Sequence, residues 1–340
     1  MISWLLLSPV LALWSRPALA RAPIVPDALE VLRQGAEPPN EPYAAEFVVV
    51  GQAGPEGKPV SRRVSVRFSP PNLYRREIRD PAGEVAQIVV EDGRSEWIYD
   101  PARRRVWRGE PADPLFKRFG PDEEIDRLSD NYDVAIATGA RAVGRPTWRL
   151  ELRGRADGAL SRRLWVDRKS SLVLRSESFL PDGTPSESVV CTRLRRGAAS
   201  DPAWFRFSPP AGAAVVRRTE PDYLALDEAK ASGTEPRLPA WLPSGYVFES
   251  LDVMPKGRRK VVHSRFSDGI NVISLFQCPP RVRLDLGGRQ RQRVRLASGR
   301  GTLTRAAEGN VLIWNSGGWH FVLVGPISAQ NLQRLAESVR

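Results

Sequence analysis

Cysteine, histidine and methionine are scarce in this chain of 340 residues, which has only two of each. The histidines (His263 and His320) and the cysteines (Cys191 and Cys278) occur singly, without the close spacing that zinc ligands require. A Gly-rich phosphate loop after a strand, a Gly-x-Ser-x-Gly elbow and a His-Glu-x-x-His motif are also absent. We therefore expect a protein that is not an enzyme and that has no cofactor, no catalytic residue and no metal site.

Long hydrophobic runs are missing beyond the first twenty residues, where no stretch reaches the roughly 18 apolar residues of a membrane helix. The apolar run from Trp4 to Trp14 is itself too short to span a membrane. It is followed by Ala18-Leu19-Ala20, the small-x-small pattern that signal peptidase cleaves. We predict a signal peptide over residues 1–20, with cleavage after Ala20. Because no Lys or Arg precedes the run, a membrane anchor or a buried helix is the alternative.

Predicted export affects the interpretation of the two cysteines and of the net charge. An oxidising compartment permits a disulfide between Cys191 and Cys278, and two buried thiols are the alternative. The formal net charge of +12, carried mostly by Arg, favours acidic partners. Export excludes nucleic acid, which leaves anionic lipid or an acidic protein surface.

Short strands dominate the predicted structure. The chain has 10 Trp, 30 Pro and 27 Gly, a composition typical of many strands joined by turns. Asp27 is a predicted helix N-cap and Gly35 a predicted C-cap. Period-two alternation then predicts strands up to Leu194, interrupted by a helix around Ile125 and Leu128, with Asp92-Gly93 as a hairpin turn. Repeated strands and hairpins predict one large, strongly bent antiparallel sheet.

A polar segment divides the chain into two predicted domains. The first occupies residues 27–215, a linker with a short helix occupies 216–238, and the second domain occupies 239–340. Seven strands are predicted in the second domain, including Arg281–Leu286 and Arg291–Leu296. A closing helix is predicted to begin after Ser328.

Several short motifs resemble the MucB/RseB family of periplasmic sigma-factor regulators. In the second domain they are Trp241-Leu242-Pro243-Ser244-Gly245-Tyr246, Ser267-Asp268-Gly269 and the Val324-Gly325-Pro326-Ile327 ending. In the first domain they are Asn131-Tyr132, Leu164-Trp165-Val166-Asp167 and Asp182-Gly183. The first domain is also similar to the lipoprotein carriers LolA and LolB.

The resemblance implies a fold and a role. The fold is a mostly β (α+β) one: a concave antiparallel half-barrel covered by helices, linked to a smaller mixed α/β C-terminal domain. The role is that of a periplasmic protein that binds the periplasmic region of a membrane-bound anti-sigma factor. Binding protects that factor from the site-one protease until envelope stress supplies lipid or lipopolysaccharide. A periplasmic lipid or lipoprotein carrier is the alternative, although the carriers consist of the half-barrel alone.

Two sets of side chains are candidate binding sites. Trp97, Tyr99 and Trp107 lie on neighbouring predicted strands, with Trp97 and Tyr99 on one face. They are expected to line an apolar hollow for an acyl chain, or else to pack in the core. The second set is a predicted hairpin around Gly287-Gly288 whose outward face carries Arg281, Arg283, Arg291, Arg293 and Arg295. That face is either a docking site for an acidic segment or lipid phosphates, or a solvated edge that discourages aggregation.

Overall fold

A computed structural model describes ten segments of the chain, and the statements below concern those residues alone. They are residues 25–37, 39–51, 59–110, 125–197, 201–217, 226–231, 235–256, 259–280, 291–306 and 309–340. The described segments form two open sheets, one of thirteen strands and one of seven. The mostly β fold predicted from the sequence is confirmed, and neither sheet closes into a barrel.

The first sheet is built from residues 43–217. Its order is β13-β6-β5-β4-β3-β2-β1-β12-β11-β10-β9-β7, with β8 paired to β9 and β13 parallel to β6. The elements are α1 (Ala28–Ala36), β1 (Tyr43–Gly51), β2 (Val60–Ser69), β3 (Leu73–Arg79), β4 (Val85–Glu91), β5 (Glu96–Asp100), β6 (Arg105–Gly109), α2 (Ile125–Asn131), β7 (Tyr132–Ala137), β8 (Arg141–Ala142), β9 (Arg145–Gly154), β10 (Leu160–Asp167), β11 (Val173–Phe179), β12 (Pro185–Arg196) and β13 (Ala214–Arg217).

Alternation along the strands gives this sheet two unlike faces. Its inner face, defined here as the one that packs against α1 and α2, includes the predicted row Val64, Val66 and Phe68, all buried. Along the same face, Leu150 and Leu164 pair across β9 and β10 beneath Leu32 of α1. Asp27 caps α1 as predicted, because its side chain accepts the backbone N–H groups of residues 29 and 30. Gly35 is not the C-cap, since the helix continues to Ala36.

The outer face of the same sheet carries ion pairs between neighbouring strands. Arg163 on β10 donates to Glu151 on β9 at 3.0 Å and to Glu177 on β11 at 3.1 Å. Arg175 contacts the same Glu177, and Arg75 pairs with Glu77 on β3. Opposite charges on adjacent strands stabilise a sheet by about 0.2–1 kcal/mol per pair. On this face Glu77, Glu151 and Glu177 therefore each lie beside at least one Arg.

The second sheet has the order β14-β15-β16-β20-β19-β18-β17. Its elements, with the preceding helix, are α3 (Leu226–Ala231), β14 (Val247–Lys256), β15 (Arg259–Ser267), β16 (Val272–Cys278), β17 (Gln292–Leu296), β18 (Gly299–Ala306), β19 (Gly309–Ser316), β20 (Trp319–Gly325) and α4 (Ala329–Glu337). One face packs against α4, where Leu332 and Leu335 are fully buried on Phe321 and Leu323. Ser328 caps α4 as predicted, accepting the N–H of Asn331.

The polar segment between the sheets holds the predicted short helix, α3. Its Ala229 is fully buried against Leu251 of β14 and Val262 of β15. This helix therefore packs on the second sheet. The domain limits at 215 and 239 stay a prediction.

Both cysteines are buried free thiols. Cys191 lies in the core of the first sheet, and Cys278 lies on β16 of the second. Burial raises the pKa of the Cys191 thiol to about 11, so this group stays protonated at neutral pH.

His263 makes the stability of the second sheet depend on pH. Its ring stacks on Phe276, with centroids 4.2 Å apart, and burial, followed by the charge of Arg265, lowers its pKa from 6.5 to about 4. The unfolded chain then binds a proton at a higher pH than the folded chain. We expect the free energy of unfolding to be fully retained above pH 6.5 and to fall as the pH drops towards 4.

The measurement is urea unfolding across that pH range. The substitution His263→Gln is expected to flatten the part of the pH dependence between 6.5 and 4, because it removes the titrating ring. If the pH dependence is unchanged in the variant, titratable groups other than His263 cause the loss of stability at low pH.

Candidate functional site at the contact between the two sheets

The two sheets meet where α2 ends and β7 begins. The contact on the first-sheet side is made by Asn131 and Tyr132. The second sheet contributes the turn of residues 267–271 between β15 and β16, and the loop that ends at Tyr246. We call this contact the junction.

A buried carboxylate is the centre of the junction. Tyr132 Oη donates to Asp268 Oδ2 at 2.6 Å, and the Asn271 side-chain amide donates to Tyr132 Oη at 3.0 Å and to Ser161 Oγ at 3.3 Å. Asp268 Oδ1 accepts the backbone N–H groups of Ile270 and Asn271 at 2.9 and 2.7 Å. Asp268 is only 5% exposed, and both of its carboxylate oxygens accept hydrogen bonds, which offsets the cost of burying the charge.

Backbone carbonyl groups of the second sheet also bind the first. The Asn131 side-chain amide donates to Gly245 O at 3.0 Å and to Asp268 O at 2.9 Å. One amide therefore links two separate loops of the second sheet to the end of α2.

Two phenols at the junction are held in their neutral form. Burial raises the pKa of Tyr132 far above its usual value, and the Asp268 carboxylate raises it further. Tyr246, which is also buried, has its pKa raised by the same two causes in the same order. Tyr132 therefore remains a hydrogen-bond donor to Asp268 at any physiological pH.

At Gly269 the backbone of the turn between β15 and β16 touches the backbone of α2. This residue has a φ of +100°, and a Cβ placed on it would lie 2.7 Å from Leu128 N and 3.0 Å from Leu128 Cα. Beside it, Ile270 packs into the apolar cluster that contains Leu128. A glycine is required here because only glycine combines this φ with so close an approach.

A crevice of about 460 Å³ opens beside the junction and is lined by both sheets. It has polar and apolar walls, with Phe179 and Leu180 on the first-sheet side and Ser328 and Asn331 of the α4 end on the second. An exposed ion pair between Asp182 and Arg305 also joins the two sheets, at 3.5 Å.

The predicted aromatic set is divided between the two faces of the first sheet. Trp97 and Tyr99 share the outer face, as predicted, where both rings lie about 6 Å from the ring of Phe207. Trp107 pairs with Ile98 across β5 and β6 and therefore lies on the inner face. The three residues therefore do not share one surface. No observation tests ligand binding by them, and it is proposed below only for Trp107, which is on the face that packs against the helices.

Only the second strand of the predicted arginine hairpin falls within the described residues. Arg281 and Arg283 lie outside the described residues. Arg293 and Arg295 are on β17, which pairs with β18 through a tight turn at residues 297–298. The inward positions Val294 and Leu296 pack in the core as expected.

Sequence reasoning did not identify the junction as a site. Asn131-Tyr132, Gly245-Tyr246 and Asp268-Gly269 were noticed only as motifs of resemblance, and Asn271 and Ser161 were missed. The signal was the set of motifs itself, whose members lie more than 100 positions apart in the chain and meet at the junction.

The described part of the chain contains no group of three or more His, Cys, Asp or Glu residues suited to a metal ion. Among those same residues, no helix has both the length and the apolar composition of a membrane span.

Two open sheets, helices packed on one face of each and a hydrogen-bonded junction define a β-rich fold of two units. Residues 83–208 match the sequence model of the MucB/RseB N-terminal domain. The resemblance to the MucB/RseB family predicted from the motifs is thereby confirmed. No curated protein matches the chain.

Solved structures extend the likeness to nearly the whole chain. A crystal structure of MucB in complex with MucA(peri) is 22% identical, with a TM-score of 0.59, covering 92% of this chain and 98% of that one. The Pseudomonas aeruginosa MucA/MucB complex is 22% identical, with a TM-score of 0.60 and coverages of 93% and 99%. A structure of MucB alone is 21% identical, with a TM-score of 0.54 and coverages of 92% and 97%. At this level of identity the likeness establishes the fold.

Proposed function

We propose that this protein binds the periplasmic region of a membrane-bound anti-sigma factor and protects it from proteolysis. The observation that supports this most is that the chain matches 98–99% of the length of MucB chains crystallised with MucA. The likeness includes both sheets, whereas a carrier of the half-barrel type needs only the first. The proposed place of action is the periplasm, after cleavage behind Ala20, so the N-terminus of the protein from the envelope fraction should be Arg21.

The test uses the purified chain and the periplasmic segment of an anti-sigma factor from the same genome. We expect saturable binding in calorimetry, and slower cleavage of the full-length factor by its site-one protease. With the chain at about ten times Kd, about a tenth of the factor is free, so cleavage should slow about tenfold. The periplasmic segment of an unrelated membrane protein is the control.

Each part of the proposal has its own contrary result. Absence of binding would contradict the partner assignment. Binding with an unchanged cleavage rate would keep the partner and refute protection.

The inner face of the first sheet is proposed as the place where lipid is sensed. At the end of that face, Trp107 and Ile98 lie side by side, both half-buried, and the Arg105 guanidinium is 5.9 Å from the Trp107 ring centroid. An aromatic and an aliphatic side chain with a cation beside them suit an acyl chain that carries an anionic group. The same feature supports the lipid carrier as a second candidate function.

Trp107→Ala is expected to weaken binding of a fluorescent fatty acid about tenfold or more, since a buried large apolar side chain contributes about 1.5–3 kcal/mol. The emission of the probe itself is the readout, because the substitution removes a tryptophan. Trp97→Ala, on the outer face against Phe207, is the matched control and should leave the affinity within about twofold.

If both variants lose the same affinity for the fatty acid while circular dichroism shows an intact fold, binding at the inner face is contradicted. Unchanged affinity in both would place the acyl chain elsewhere.

A further inference from the structure

One edge of the second sheet carries a group of arginines that have no ion pair among the described residues. β17 is the last strand in the sheet order and pairs only with β18 among the described strands. Arg291, Arg293, Arg295 and Arg300 are all exposed there. We call this surface the arginine edge.

The arginines of the arginine edge face the same way. Arg293 and Arg295 are two positions apart on β17, and Arg295 lies directly across from Arg300 on β18. Like charges directly opposite each other destabilise a strand pair. Val294 and Leu296, on the other face, pack in the core and hold β17 in place. The guanidinium groups are thus presented on a fixed strand.

Elsewhere in the protein several arginines pair with a Glu, although on the first sheet Arg63 lies opposite Arg79 and Arg67 opposite Arg75. On the first sheet, Arg163 has Glu151 and Glu177 on the strands either side of it. On the second, Arg265 of β15 pairs with Glu249 of β14. In the part of the chain that the structure describes, none of the four arginines of the arginine edge forms an ion pair. The nearby Glu337 of α4 instead accepts the backbone N–H of Ala297 in the β17–β18 turn.

We infer that the arginine edge binds an extended acidic peptide segment, added beside β17 as a further strand with its carboxylates at alternate positions. Among the described strands β17 has one side without a partner, and an edge strand offers unpaired backbone groups for such an addition. The alternating carboxylates would complete the Arg–Glu ladder that the first sheet builds within the chain, and each guanidinium can hold a carboxylate bidentately. The identification of this segment with part of the anti-sigma factor rests on the proposed function, whereas the acidic-strand chemistry does not.

The direct test measures how the full chain binds short synthetic peptides. One peptide alternates Glu and Thr, a second has the same composition with all Glu grouped at one end, and a third is the alternating peptide with N-methylated backbone amides. We expect the first to bind at least about tenfold more tightly than the others, with affinity falling as salt rises, because exposed charges are screened over about 8 Å at physiological ionic strength.

The matched variants keep the net charge equal. Arg293→Gln, Arg295→Gln and Arg300→Gln together should reduce affinity for the alternating peptide at least about tenfold and flatten its salt dependence. The control changes three exposed arginines of the first-sheet unit, Arg94→Gln, Arg206→Gln and Arg217→Gln, and should leave affinity within about twofold. Equal affinity in the two variants would overturn the inference.

Three further outcomes separate this inference from its alternatives. If the arginine-edge variant loses binding to phosphatidylglycerol vesicles but not to the peptide, the surface serves a membrane and the inference is wrong. If the anti-sigma segment binds wild type and arginine-edge variant equally, the inference fails for this partner and the proposed function stands. If the alternating peptide binds at the arginine edge but no anti-sigma segment binds the chain, the inference stands and the proposed function fails.

Discussion

Gly269→Ala is expected to separate the two sheets and to destabilise the protein, because Gly269 is buried against the backbone of α2. The added Cβ would lie 2.7 Å from Leu128 N and 3.1 Å from the carbonyl carbon of Arg127. Both are backbone atoms, so no side chain can rotate away and α2 has to move. Overpacking of this kind costs about 1–3 kcal/mol, and a residue with a Cβ in left-handed backbone costs about a further 1–2 kcal/mol.

Gly318→Ala is the control that measures the cost of left-handed backbone without a steric clash. Gly318 has a φ of +78°, and a Cβ placed on it meets no atom within 4 Å. In urea unfolding, the free energy of unfolding of this control should therefore fall by only about 1–2 kcal/mol. For Gly269→Ala the free energy of unfolding should fall by about 2–5 kcal/mol in all. The single unfolding transition should also become two, because the sheets then unfold separately. Equal losses in the two variants would show that the close approach at Gly269 is easily relaxed.

Asp268→Ala is the second change with a large expected effect. It removes the acceptor of Tyr132 Oη and of the Ile270 and Asn271 backbone N–H groups. The loss of one partner from a buried charge-assisted contact leaves polar groups unsatisfied, at about 1–3 kcal/mol for each uncharged group. We expect the free energy of unfolding to fall by about 3–5 kcal/mol, together with a weaker affinity for the proposed partner if binding requires a fixed arrangement of the sheets.

Asp182→Ala is the matched control, because Asp182 also joins the first sheet to the second. Its ion pair with Arg305 is exposed on both sides and 3.5 Å long. Exposed pairs of this kind contribute about 0–1 kcal/mol, and salt screens them. If Asp182→Ala lowers the free energy of unfolding as much as Asp268→Ala does, the exposed ion pair stabilises the contact between the sheets as much as the buried hydrogen bonds do, and the prediction is wrong.

Local sequence rules predicted most of the strands. The alternation of Val64, Val66 and Phe68 placed three buried side chains on one face, and Asp92-Gly93 marked the turn between β4 and β5. These signals work because side-chain direction in a strand alternates with a period of two, whatever lies elsewhere in the fold. β18 was missed because Gly299 and Gly301 interrupt its pattern, and glycine has a low preference for strands.

The arginine edge shows how the same local signal falls short. Alternation correctly placed Val294 and Leu296 inward and Arg293 and Arg295 outward. The predicted hairpin partner, residues 281–286, lies outside the described residues, while the pairing of β17 with β18, which the sequence did not predict, brings Arg300 into the group. Which strand lies alongside is decided by turn geometry and by burial against α4, and neither can be read from alternation.

The sequence by itself determined a β-rich chain, most of its strands, the caps at Asp27 and Ser328, and the motifs that resemble the MucB/RseB family. Only the tertiary structure decided that β1 pairs with β12, that Trp107 faces inward while Trp97 faces outward, and that Tyr132 meets Asp268. The physical reason is that periodicity and capping depend on neighbours along the chain. Pairing across more than 100 residues depends instead on which packing buries the most apolar surface while leaving each buried polar group with a partner.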